Sequence, residues 1–148
     1  MKTTHTFSAL LAAGALSLAS AAPAFSADHF VVVEHPVNET TVHVGAKVDS
    51  VGDILSFANP VFDGANKTQV GTDQGFCVRV VVGKSWECVW TMVLKGGRIT
   101  VEGAFSDTGD SQFAITGGTD KYSGAKGQMK LHVRTGKPES YDFIFDLL

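Results

Sequence analysis

The stretch FCVRVVVGKSWECVWTMVLKGGRITVEGAF, residues 76–105, decides the fold. It contains three strand-length runs of β-branched and aromatic residues, broken by Gly83-Lys84 and by Gly96-Gly97. Treated as two-residue hairpin turns, these breaks pair Val82 with Ser85, Cys77 with Trp90 and Arg79 with Cys88. The second hairpin then pairs Lys95 with Arg98, Met92 with Val101 and Trp90 with Gly103. Opposed side chains share a face, so Cys77, Arg79, Val81, Trp86, Cys88, Trp90, Met92, Val101, Gly103 and Phe105 form one set. Phe76, Val78, Val80, Glu87, Val89, Thr91, Val93 and Glu102 form the other.

Both faces are substantially apolar, which a sheet with one face in water should not show. The face with the bulky aromatics and a single arginine is assigned to a lumen. The other is expected to pack on another subunit, giving a homo-oligomer. A sandwich with this sheet in its middle is the alternative.

Outside this stretch the same period of two recurs. Val42, Val44, Ala46 and Val48 alternate with His43, Gly45, Lys47 and Asp49, which predicts a strand there. Met129, Leu131 and Val133, and then Tyr141, Phe143, Phe145 and Leu147, predict two more. Glycine and asparagine cluster between the runs, and no stretch of ten residues sustains helical periodicity. The expectation is all-β: a single antiparallel barrel of eight or nine strands, spanning residues 27–148, with a small-molecule lumen.

Residues 1–26 have the features of a removable secretory signal. Lys2 supplies a basic start, Ala9 to Ala22 are small and apolar, and Ala24-Phe25-Ser26 offers a small-x-small cleavage pattern. A secreted or periplasmic location follows, with no membrane attachment once the signal is removed. Loss of Lys2 moves the formal charge from -3 to -4, spread without any basic block. Nucleic-acid binding requires a phosphate-neutralising stripe, and none is present.

Arg79 cannot shed its charge, so on an inward face it needs carboxylate or carbonyl partners. It is either an anchor for the acid group of a ligand or one half of a structural ion pair. In the register above, Cys77 and Cys88 are diagonal neighbours, near or beyond the separation a disulfide tolerates. A slip of two residues would set them opposite each other and permit the bond. His29, His35, His43 and His132 show no metal-ligand spacing, so no metal is expected. Gly117-Gly118-Thr119 lacks the Gly-Lys-Ser/Thr ending of a phosphate loop, and no Gly-x-Ser-x-Gly elbow occurs.

Several segments, taken in order, resemble the allene oxide cyclase family and, more loosely, the dirigent proteins. Gly52-Asp53-Ile54-Leu55-Ser56-Phe57-Ala58-Asn59 is similar to the family's Gly-Asp-x-x-x-Phe-x-Asn, and Val70 to Cys77 is similar to its Val-Gly-x-x-x-Gly-x-Cys. Ile99 to Gly103, Ala114 to Thr119 and Gly124 to Leu131 continue the resemblance. It implies an eight-stranded barrel, trimeric or dimeric, that needs no cofactor. It also implies a cyclase or isomerase acting on a reactive apolar molecule, fatty-acid- or polyketide-like. The alternative is a non-catalytic dirigent-like protein or carrier for a small hydrophobic ligand.

Carried over residue by residue, Asn59 matches the family's water-holding asparagine, Cys77 its pocket cysteine and Glu34 its epoxide-side glutamate. The family's pocket tyrosine falls on Phe105, which cannot donate a hydrogen bond. The expected catalytic pair is therefore Glu34 and Asn59. Cys77, Arg79, Trp86, Trp90 and Phe105 are the expected binding residues.

Overall fold

The computed structural model describes residues 28–45 and 48–148. The predicted signal, residues 1–26, lies outside the described residues, as do Ala46 and Lys47. In chain order the strands are β1 (His29–Glu34), β2 (Glu39–Val42), β3 (Ile54–Asp63), β4 (Gln69–Val81) and β5 (Ser85–Leu94). They continue as β6 (Gly97–Ser106), β7 (Ser111–Gly118), β8 (Gly127–Val133) and β9 (Tyr141–Leu147), with one 3-10 turn at Asp120–Tyr122 before β8.

From β3 to β9 each strand pairs antiparallel with the next, and β1 pairs with both β9 and β3. That last pairing closes an eight-stranded barrel and removes the sandwich alternative. β1 and β2 lie end to end along the same edge of β3: β1 meets Asp63 to Val61, and β2 meets Phe57 to Ile54. They are one stave broken at His35-Pro36-Val37-Asn38, where Pro36 has no N–H to give to a ladder.

The inward set is as expected except at Val81. Cys77, Arg79, Trp86, Cys88, Trp90, Met92 and Val101 are all buried, and Phe76, Val80 and Glu87 are exposed. Val81, expected inward, lies past the bulge that follows Arg79 and is exposed. The register differs by two residues in both hairpins. Cys77 pairs with Cys88, Arg79 with Trp86, Trp90 with Val101 and Met92 with Ile99. Val81 with Ser85 closes a three-residue loop in which Gly83 takes φ 66°, and a bulge between Arg79 and Val81 absorbs the odd residue. In the next hairpin Lys95-Gly96 is the turn, and Leu94 pairs with Gly97. Gly97 is a glycine for another reason: a Cβ there would come within 2.3 Å of the Thr119 carbonyl oxygen. Sliding by two preserves faces, so the lumen survived the error.

Trp90 stands opposite Gly75 rather than Gly103. A Cβ at Gly75 would come within 2.3 Å of the Trp90 Cβ, so the missing side chain makes room for the indole.

The strand expected through Val48 stops at Val42. The chain beyond it is gathered instead around the buried Asp53 carboxylate, which accepts hydrogen bonds from the Val44 and Ser50 amides and binds His43 Nδ1 at 2.7 Å. These bonds hold Asp53 near a pKa of about 2, the His43 contact foremost.

One half of the barrel is filled. Met92, Ile99, Phe113, Met129 and Phe145 pack solidly toward the β5–β6 turn. Trp90 lies at the upper limit of this plug, its ring 4.4 Å from Phe113 and 5.8 Å from both Phe57 and Phe143.

Candidate functional site

Beyond Trp90 the barrel is open. A cavity of about 100 Å³ is walled by Leu55, Phe57, Cys77, Cys88, Trp90, Phe105, Leu131 and Phe143, and Glu34, Glu39 and Tyr141 contribute its polar groups. Cys77 and Cys88, opposed in the ladder, form a disulfide with Cα atoms 4.0 Å apart. The two-residue slip is what permits the bond, and it makes the wall at Cys77 a covalent cross-brace rather than a free thiol.

Glu34 ends β1 at the point where the stave breaks, and Asn59 faces the break from β3. The Asn59 side-chain oxygen accepts hydrogen bonds from the Val37 and Asn38 amides, at 3.0 and 2.9 Å. Those two donors fix the amide orientation, so Nδ2 points inward and donates to Glu34 Oε1 at 2.8 Å. The Asn59 backbone N–H donates to Asp73 Oδ1 on β4 at 3.2 Å. Asn59 thus satisfies the kinked stave and holds two carboxyl groups in place. All three side chains are buried.

Two carboxyls enclosed together cannot both ionise cheaply. Burial, and then the charge of Asp73, push Glu34 well above the usual carboxylate range. Burial pushes Asp73 up to about 6, against hydrogen bonds from Glu34 and the Asn59 amide that favour its charged form. With both groups ionised, Asp73 Oδ2 is buried without a donor. A proton on Glu34 supplies the donor. Enclosure therefore favours a proton held by the pair.

Glu39 is also raised, chiefly by burial. Tyr141 donates to Glu139, and burial foremost holds its hydroxyl proton well above the ordinary phenol range.

Arg79 and Trp86 share the inward face but do not wall the cavity. The Arg79 guanidinium lies 3.9 Å over the Trp86 ring, with Nη1 2.6 and 2.7 Å from the two Asp107 oxygens and Nε 2.5 Å from Asp49. Its charge is engaged by two carboxylates at the rim, where Asp49 also accepts the Gly83 amide. Among the described residues no three His, Cys, Asp or Glu side chains converge as metal ligands.

Sequence reasoning brought together Glu34, Asn59, Cys77, Trp90 and Phe105; the structure sets four of them in the cavity wall and Asn59 behind it, bonded to Glu34. It missed Asp73, Glu39 and Tyr141. Asp73 was legible: alternation along Asp73, Gly75, Cys77 and Arg79 puts it on the inward face.

The fold and site define a class: closed eight-stranded antiparallel barrels whose half-open lumen presents a few buried polar groups to a small molecule. The family model for allene oxide cyclase matches residues 34–138, and the chain belongs to that family. Among solved structures it is similar to a pyocyanin demethylase, with 24% identity and a TM-score of 0.68 over 80% of this chain and 100% of that one. A pterocarpan synthase dirigent protein aligns at 16% identity and TM-score 0.68, over 83% of this chain and 94% of the other. An exo-specific intermolecular Diels-Alderase aligns at 17% and 0.65, over 82% and 98%. Likeness at these identities establishes the shared fold.

Proposed function

We propose that the protein is a cofactor-free cyclase or isomerase that binds a reactive, largely apolar small molecule in its barrel and steers its rearrangement. The observation that carries this reading is the Glu34–Asn59–Asp73 group: a buried carboxyl that holds its proton more tightly than usual, positioned by an amide and backed by a second carboxyl, at the wall of an apolar cavity. Phe57, Trp90, Phe105 and Phe143 hold the molecule in a folded, near-attack shape, which removes much of the entropic barrier to ring closure. Glu34 donates its proton to an oxygen or nitrogen on which negative charge develops, and takes a proton back as the product forms. Asp73 stabilises the acid before transfer and disfavours the doubly charged state after it, which favours the return of the proton.

The test begins with native mass spectrometry of the purified mature chain, to find a co-purified compound. On that compound Glu34→Gln and Asn59→Ala should abolish turnover while folding and ligand binding persist. If both variants convert it at the wild-type rate, the assignment of those residues is wrong.

A dirigent-like or carrier role is the second reading, favoured by Phe105, which brings no hydrogen-bonding group to the cavity where the family has a tyrosine. It predicts that the bound compound is returned unchanged.

Export after removal of residues 1–26 belongs to the same proposal. The Cys77–Cys88 disulfide supports it, since such bonds persist outside the reducing cytosol. Assembly as a trimer or dimer belongs to it too, through the outward face that begins on β4, where Phe76 and Val80 are about half exposed. Mass analysis by light scattering checks the assembly.

A further inference from the structure

The charge and ring content of the cavity wall say what kind of molecule fits it. Five of its residues are aromatic: Phe57, Trp90, Phe105, Tyr141 and Phe143. Its acidic side chains are Glu34 and Glu39, of which Glu39 carries the charge where Glu34 holds its proton, and no Lys, Arg or His side chain lines it. Two of the arginines are engaged elsewhere. Arg79 is held by Asp49 and Asp107, and Arg134 Nε binds Asp142 at 2.7 Å. Behind the wall Asp73 adds a further buried carboxyl, and the Tyr141 hydroxyl is already donated to Glu139.

Aromatic faces present negative potential, and so do carboxylates. Walls combining the two attract a poorly hydrated cation and repel a carboxylate. We propose that the cavity takes a compact cation whose charge is spread over an apolar frame, such as an N-alkylated heteroaromatic ring or a quaternary ammonium group, and excludes carboxylate-bearing molecules. This rests on the barrel cavity being the ligand site, as in the proposed function, and it narrows the substrate class away from free fatty acids. It also removes Arg79 as an acid anchor.

Three single-ring probes of nearly equal shape test it on the mature protein: N-methylpyridinium, toluene and benzoate. Each is titrated at neutral pH and modest salt by calorimetry and by the shift of the Trp90 indole N–H resonance. N-methylpyridinium is expected to bind at least about tenfold more tightly than benzoate, and to be displaced by toluene. Glu39→Gln should weaken N-methylpyridinium severalfold and leave toluene unchanged. Benzoate binding as tightly as N-methylpyridinium, or toluene binding while the cation does not, overturns the charge preference but leaves the cavity as a ligand site. If none of the three perturbs Trp90, the cavity is not a ligand site and both proposals fall.

Discussion

Asp73→Asn should change how the stability of the barrel depends on pH. A carboxyl raised from 3.8 to about 6 by burial binds its proton more tightly folded than unfolded. The folded state then holds more protons than the unfolded state between those values, and stability falls as pH rises through them. At about 1.4 kcal/mol per pKa unit, Asp73 alone makes the barrel of order 3 kcal/mol less stable above pH 6 than below pH 4. Glu34, raised by burial and by Asp73, acts in the same direction and extends the loss upward.

Asp53 and Asp110 act oppositely. Each is held near 2 by hydrogen bonds, from His43 and Lys130 foremost, so its contribution is lost as pH falls from about 4 toward 2. Maximum stability is therefore expected between about pH 4 and 5 rather than near neutrality. For a domain of this size the melting temperature should drop by roughly 10 °C between pH 4.5 and 7.5. In Asp73→Asn the amide keeps an acceptor for the Asn59 N–H and offers a donor to Glu34. The drop should shrink to less than half, and the variant should melt above wild type at pH 7.5. The assay is a thermal melt by circular dichroism across that range. A wild-type melting temperature that is flat or rising, or a variant curve parallel to it, refutes the reasoning.

Three further outcomes follow from packing and charge. Cys77→Ala/Cys88→Ala removes a cross-link between residues 11 apart and should lower the unfolding free energy by about 3 kcal/mol in urea titrations; an unchanged value contradicts a formed disulfide. Gly75→Ala forces a methyl group against the Trp90 Cβ and the Val89 carbonyl oxygen, so it should cost about 2 kcal/mol or more by the same measurement, with folding lost at the upper end. Arg79→Met leaves Asp49 and Asp107 without their cation and should cost about 2 kcal/mol, while toluene affinity measured by calorimetry stays unchanged because Arg79 is outside the cavity wall.

The period of two along residues 76–105 carried the architecture, because which face a residue occupies depends only on parity. Exact pairing was beyond it. Gly83-Lys84 and Gly96-Gly97 each allow more than one turn, and the choice between them was made by contacts distant in sequence, such as that of Gly97 with Thr119. Val42 to Val48 failed for another reason. Their alternation is as regular as that of β8, but the carboxylate of Asp53 captures the Val44 and Ser50 amides that a ladder would need.

Glu34 and Asn59 entered through family resemblance, and Asp73 was within reach of parity. Glu39 and Tyr141 were not, since they meet at the cavity only because β1 and β2 break over Asn59 and β9 returns beside β1.

Carbon-13 NMR titration of the side-chain carboxyls, with Glu34 and Asp73 assigned, reads the proton that the proposed chemistry requires. Glu34 should titrate well above the usual carboxylate range and Asp73 near 6. Two ordinary titrations near pH 4 would show that the lumen stores no acid and contradict the account.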